Sequence, residues 1–180
     1  MDHPPVKMLI DRQTLRDRVG QLAVEVAADY ADAPLLVIGV LNGAVPFMME
    51  LLALLPQPFA AGVEYDFVGV SSYAGHQSQG QVRLHKDVGA DLAGREVLVV
   101  DGIVDTGLTL AFLLGQFQRR APKSIRTCAL LDKPARRQHP VRVDYTGFAI
   151  EDVFVVGYGM DYDQRYRALN YLGALTQPIS

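Results

Sequence analysis

Leu15, Val19, Leu22, Val26 and Tyr30 recur at helical spacing, and Asp11 stands where a side chain can cap the first turn, so an amphipathic helix is expected early in the chain. The apolar pattern then changes from periodic to continuous. Leu35 to Leu41 is an unbroken apolar run of strand length, Asn42-Gly43 turns it, and Pro46 opens a second helical stretch. The same order repeats at Val97 to Val100, which leads through a turn from Asp101 to Leu108 into a helix carrying Leu110, Leu113, Leu114 and Phe117. Ile125 to Leu131, after Pro122, supplies a further buried strand. Strands apolar on every residue need cover on both faces. The expected class is therefore α/β, a mostly parallel twisted sheet flanked by helices, with right-handed crossovers and ligands at the carboxyl ends of the strands.

Val63 to Tyr73 and Gln81 to Lys86 read as two further strands around a polar loop, Ala74 to Gly80, which is a candidate lid over about 72–82. From Lys133 to Tyr162 short apolar segments, Phe148 to Ile150 and Phe154 to Tyr158, alternate with Pro134, Pro140 and charged turns. This part is expected to cap the sheet near the site. No repeat, low-complexity tract or linker marks a boundary, so 1–180 is read as one domain.

Composition narrows the function. With 49% hydrophobic and 21% charged residues, the 180-residue chain is that of an ordinary globular protein. A formal net charge of −3 argues against nucleic acid or an anionic membrane as partner, and for a small-molecule substrate. Cys128, the one cysteine, lies in an apolar run and reads as a buried thiol; the four histidines lack metal-ligand spacing and are expected on the surface or in loops. Met1 to Lys7 lacks the layout of a secretory signal and no apolar run is long enough to span a bilayer, so a cytoplasmic location is expected.

The chemistry concentrates between Asp101 and Thr109. A buried strand delivers a turn of small residues to a helix start, where backbone N–H groups, the positive helix end and the hydroxyls of Thr106 and Thr109 suit a phosphate, and Gly107 permits close approach. Gly102-x-x-x-x-Gly107-Leu108-Thr109 falls one residue short of a P-loop, because Leu108 replaces the lysine. Asp105 would repel a triphosphate. A neutral or cationic centre beside the phosphate suits it better, which points away from an NTPase.

Asp101, Asp105, Thr106, Gly107 and Thr109 match the 5-phosphoribosyl 1-diphosphate motif, and the chain here resembles the phosphoribosyltransferases of type I. Val40 to Ala44 with Phe47-Met48, Asp66 to Tyr73, Leu130 to Pro134, and Phe154 to Tyr162 with Arg167 are similar to the hypoxanthine-guanine members. That resemblance implies a small C-terminal hood, at about 133–180, over the site. It also implies purine salvage: ribose 5-phosphate passes from 5-phosphoribosyl 1-diphosphate to hypoxanthine or guanine, giving IMP or GMP and pyrophosphate. The implied roles follow residue by residue. The loop Asp105 to Thr109, Leu108 included, holds the 5-phosphate, and Asp101 binds ribose hydroxyls that also face Mg²⁺. Asp105 accepts the N7 proton. Lys133 donates to the 6-oxo group, Phe154 stacks on the base, and the Val155 backbone meets its edge. Asp161 lies near the purine and a second Mg²⁺, Arg167, Asn42 and Gly43 meet the pyrophosphate, and Ser72 and Tyr73 open the lid. A homodimer or homotetramer is also implied.

The residues admit plainer readings. Phe154 could be core, Lys133 and Arg167 solvated charges, and Asp161 a helix cap; Arg119-Arg120 and Arg136-Arg137 read as solvated faces or helix-end charges. Asp105 has no evident packing role. The chain also departs from the family pattern twice: Gly102 replaces the second of two adjacent acids, and Asn42 stands where Lys or Arg is usual. Altered diphosphate binding is one expectation from these changes. A non-catalytic sensor of nucleotide or diphosphate sugar, and transfer to a different base such as xanthine, are the others.

Overall fold

The computed structural model describes residues 5–30, 33–73 and 81–176. In chain order the elements are β1 (Val6–Ile10), α1 (Arg12–Asp29), β2 (Leu35–Leu41), α2 (Val45–Ala53), β3 (Glu64–Tyr73), β4 (Gln81–Lys86), β5 (Glu96–Val104), α3 (Leu108–Gln118), β6 (Ser124–Asp132), β7 (Tyr145–Ala149), β8 (Val155–Val156) and β9 (Leu172–Leu175). Six strands form the main sheet in the order β4-β3-β2-β5-β6-β7, parallel except for the β3–β4 pair. The expected mostly parallel sheet is present.

Alternate residues of the apolar runs serve opposite faces, which is why the runs are continuous. Leu35 and Val37 of β2, Leu98 and Val100 of β5, and Cys128 and Leu130 of β6 pack with α1 and α2. Leu36, Ile38 and Val40, with Val97 and Val99, pack on the other face with Leu110, Leu113 and Phe117 of α3. Cys128 is buried in the first of these layers, as its neighbours in sequence suggest. Asp11 caps α1, its Oδ1 accepting from the Thr14 amide at 2.8 Å.

The ends of the chain depart from the local pattern. β1, which carries no periodic signal, pairs antiparallel with β9, and β9 pairs with β8, making a separate three-stranded sheet. The hood is thus built from both ends of the described chain. Conversely, β7 lies inside the stretch expected to cap the sheet, yet it runs parallel to β6 as the edge of the main sheet. The hydroxyl of its Tyr145 donates to Asp29 at 2.7 Å, at the end of α1. Most of the expected lid, 74–80, lies outside the described residues; Ser72 and Tyr73 end β3, their backbones in register with Val82 and Gln81. His85 sits in β4 and is exposed, a surface position as expected. Among the described residues no helix is long and apolar enough to cross a membrane.

Glu50 of α2 ties three elements together. It accepts from Arg12 of α1 at 2.5 and 2.6 Å and from the hydroxyl of Tyr158, in the turn after β8. Burial works to raise its carboxyl, and the hydrogen bonds from Arg12 and Tyr158 override that, leaving it below the ordinary glutamate value. A depressed carboxyl contributes stability above its unfolded value and loses it as pH falls through the folded one. Glu50→Gln should therefore cost about 1–3 kcal/mol at neutral pH. In denaturant titrations the gap from the parent protein should close as pH drops below the carboxylate range.

Candidate active site

β2 and β5 are neighbours, and their chains leave in opposite directions, β2 through α2 to β3 and β5 through α3 to β6. A crevice opens where such connections diverge. Here it is a pocket of about 440 Å³, walled by Val40 to Gly43 from the end of β2, by Asp101 and the 103–110 segment, and by Lys133, Phe154, Val155, Met160, Asp161 and Arg167. Asn42, Gly43, Asp101, Asp105 to Thr109, Lys133, Phe154, Val155, Asp161 and Arg167, all expected at the site, line it together.

The turn Asp105-Thr106-Gly107 joins β5 to α3. Gly107 holds φ at +85°, and a Cβ there would lie 2.7 Å from the His139 carbonyl oxygen, so both backbone and space call for glycine. Residues 136–139 bracket this turn. The amides of Gln138 and His139 both donate to the Thr106 carbonyl at 3.0 Å, and Arg137 donates to the Asp105 carbonyl at 3.1 Å while pairing with Asp132. Arg136 Nε donates to Asp105 Oδ1 at 3.0 Å. Arg136 is exposed at the end of the short 3₁₀ turn Pro134–Arg136, as a solvated or helix-end charge would be, whereas Arg137 is partly buried; both reach back across the loop, because that turn redirects the chain towards it.

Lys133 is buried, which excludes the solvated reading; its ammonium lies 3.7 Å from Asp105 Oδ2 and 3.5 Å from Asp152. Phe154 is 45% exposed, so it is not core: it faces the pocket and meets Tyr162 edge-on, with ring centroids 5.8 Å apart. Val155 is buried in β8 and lines the same wall. Asp161 and Arg167 pair with each other at 2.7 Å, and Arg167 also donates to the Gly159 carbonyl at 2.7 Å. Asp161 accepts the Gln164 amide at 2.9 Å as well, but within a turn: no helix follows it among the described residues, so the helix-cap reading does not hold. Asp101, expected in the turn, lies within β5, because pairing with β6 carries the strand on to Val104; burial pushes its carboxyl up to about 6, against the opposing backbone donors of Gly102 and Ile103.

The two departures in sequence meet in space. A Cβ on Gly102 would sit 3.0 Å from the carbonyl atoms of Gly43 and 2.9 Å from Met160 Sδ. The bare position lets β5 press against the turn that carries Asn42, which is exposed beside the pocket and follows a cis peptide. An acid at 102 would need Met160 to move and the turn to give by a few tenths of an ångström.

Residues 5–163 match the model of the phosphoribosyl transferase domain. The hypoxanthine-guanine phosphoribosyltransferase of Bacillus subtilis is 42% identical over 180 residues, covering 99% of this chain and 98% of the relative. The chain belongs to the hypoxanthine-guanine phosphoribosyltransferase family. Two solved phosphoribosyltransferases extend the likeness to the backbone. The Bacillus anthracis hypoxanthine-guanine enzyme superposes with a TM-score of 0.86 at 36% identity, covering 96% of this chain and 99% of that one. The Trypanosoma cruzi hypoxanthine enzyme, solved with the product IMP, gives 0.87 at 37%, covering 97% and 96%.

Within this phosphoribosyltransferase fold, three residues beside the pocket escape a reading of the sequence: Arg136, Arg137 and Asp152. The available signal was slight, a pair of cations just beyond Lys133-Pro134 and an acid two residues before Phe154. Gly107→Ala tests the bracketed turn. Positive φ and the close carbonyl together predict a loss of about 1–3 kcal/mol, read as a lowered melting temperature.

Proposed function

We propose that this phosphoribosyltransferase transfers ribose 5-phosphate from 5-phosphoribosyl 1-diphosphate to a 6-oxopurine, hypoxanthine or guanine, in purine salvage. The observation that carries the reading is the 3.7 Å separation of Asp105 Oδ2 and the Lys133 ammonium on one wall of the pocket. An acceptor and a cationic donor side by side complement a purine edge on which an N7 proton adjoins a 6-oxo oxygen. A 6-amino group would set donor against donor at Lys133, which selects against adenine.

The reaction follows from that orientation. The N9 lone pair forms a bond to C1 of the ribose while the C1–oxygen bond to pyrophosphate breaks, and the pyrophosphate leaves with the electron pair. The N7 proton passes to Asp105, acting as general base. Phe154, exposed within the pocket, offers its ring to the base, and the Val155 backbone meets the base edge. The 5-phosphate binds at the loop 105–109, where α3 begins. Asn42, Gly43 and Arg167 serve the pyrophosphate, Arg167 after leaving Asp161.

Asp101 and Asp161 supply the hard oxygen donors that Mg²⁺ prefers, and both line the pocket. No group of three or more potential metal ligands occurs among the described residues, so the ion would draw its remaining ligands from substrate and water. Asp101 is in no ion pair among the described residues, whereas Asp161 must first release Arg167. When bound, Mg²⁺ would offset the charge of the departing pyrophosphate. We take the chain as a single domain closed by a lid at 72–82, acting in the cytoplasm as a homo-oligomer.

A panel of hypoxanthine, guanine, xanthine and adenine, assayed by product mass with the diphosphate sugar and magnesium, tests the reading. Turnover of hypoxanthine or guanine and none of adenine is expected, with loss of activity on chelation of magnesium. Asp105→Asn should lower kcat by about a hundredfold or more. Absence of product with every 6-oxopurine would leave a binding protein instead.

A further inference from the structure

Arg136, Asp105, Lys133 and Asp152 close a ring of alternating charge. Arg136 Nε meets Asp105 Oδ1 at 3.0 Å and its Nη1 meets Asp152 Oδ2 at 3.3 Å; Lys133 completes the ring at 3.5 Å from Asp152 and 3.7 Å from Asp105 Oδ2. We propose that Arg136, held by Asp152, is a positioning residue for Asp105: it fixes one carboxylate oxygen so that the other, beside Lys133, faces the base. The proposal rests on the reading of Asp105 as acceptor of the N7 proton.

Geometry separates the two oxygens. Oδ1 is within hydrogen-bond distance of Arg136, while Oδ2 and the Lys133 ammonium stand beyond it. A free carboxylate beside a buried ammonium would close onto it, and each would then mask the other from substrate. Here Arg136 restrains Asp105 from one side and Asp152 draws Lys133 from the other. The gap is left for a purine edge. Two cations and two carboxylates also leave the ring neutral, so bracing Asp105 adds no net charge beside an anionic substrate.

Stability is a poor explanation for this ring. Arg136 is 44% exposed and Asp152 55% exposed, and pairs so open to solvent contribute little to folding. The turn is held without them, by Arg137 and by the amides of Gln138 and His139 on backbone carbonyls. Removing the Arg136 side chain therefore frees the Asp105 carboxylate without releasing the loop.

The test is steady-state kinetics of the full chain with hypoxanthine and the diphosphate sugar, for Arg136→Gln, Arg136→Lys and Asp152→Asn, each also combined with Asp105→Asn. Arg136→Gln should lower kcat about tenfold, the effect of one hydrogen bond to a charged group, with KM for the diphosphate sugar nearly unchanged. Arg136→Lys should recover part of the loss, since one ammonium reaches Asp105 or Asp152 but lacks the fork that spans both. Asp152→Asn should fall in the same direction, and it carries the test should Arg136→Gln melt early. With Asp105→Asn, neither change should cost anything further. Equal losses with and without the Asp105 carboxylate, or an unaltered kcat in an active parent, overturn the positioning role alone. A parent inactive on every 6-oxopurine overturns the reading of Asp105 and this proposal with it.

Discussion

β2 and β5 lie side by side in parallel, and each is apolar on both faces. Helices must therefore cover the sheet on two sides, and right-handed connections then carry the chain away from these strands in opposite directions. The pocket is the consequence. Its walls begin as the last residues of the two strands, so the irregular turn Asn42-Gly43 and the loop Asp105–Gly107 are each anchored to the sheet. What varies around this crevice is what reaches into it: Lys133 past the end of β6, Phe154 and Val155 from the hood, Asp161 and Arg167 from the turns beyond.

Charge within the crevice is arranged in pairs rather than pooled. Asp161 and Arg167 hold each other, and Lys133 is shared between Asp105 and Asp152. Such pairing keeps charged groups tolerable at partly buried positions and makes them exchangeable, since a substrate group of matching charge can take a partner's place. Asp101 differs. It has no cation among the described residues, and burial raises its carboxyl towards neutrality, which fits a site completed by an added positive charge. Gly102 and Gly43, the residue after Asn42, also lie against each other, so the two positions that differ from the motif form one junction.

The parts legible in sequence are those where one local rule suffices. Leu35 to Leu41 and Val97 to Val100 could hardly be anything but buried strands, and Gly107 after Asp105-Thr106 announces a strand-to-helix turn. β1 was not legible because Val6–Ile10 is mostly exposed and gains its identity from Leu172–Leu175, at the other end of the chain. β7 was hidden by short length and by flanking Pro140, Arg142 and Asp144. Within the site, residues of the recognised motifs converged on the pocket, while Arg136 and Asp152 did not stand out, because a surface cation and a cation braced against a carboxylate look alike until the fold brings the carboxylate near.

Purine recognition depends on one arrangement: Asp105 and Lys133 together reading the N7 and 6-oxo edge of the base, with Arg136 behind. A crystal structure of this chain with IMP tests it most directly. The account predicts N7 within hydrogen-bond distance of Asp105 Oδ2, the 6-oxo oxygen on the Lys133 ammonium, and Arg136 still on Oδ1. A base that turns another edge to these two residues, or Lys133 closed onto Asp105 with the purine elsewhere, would contradict it.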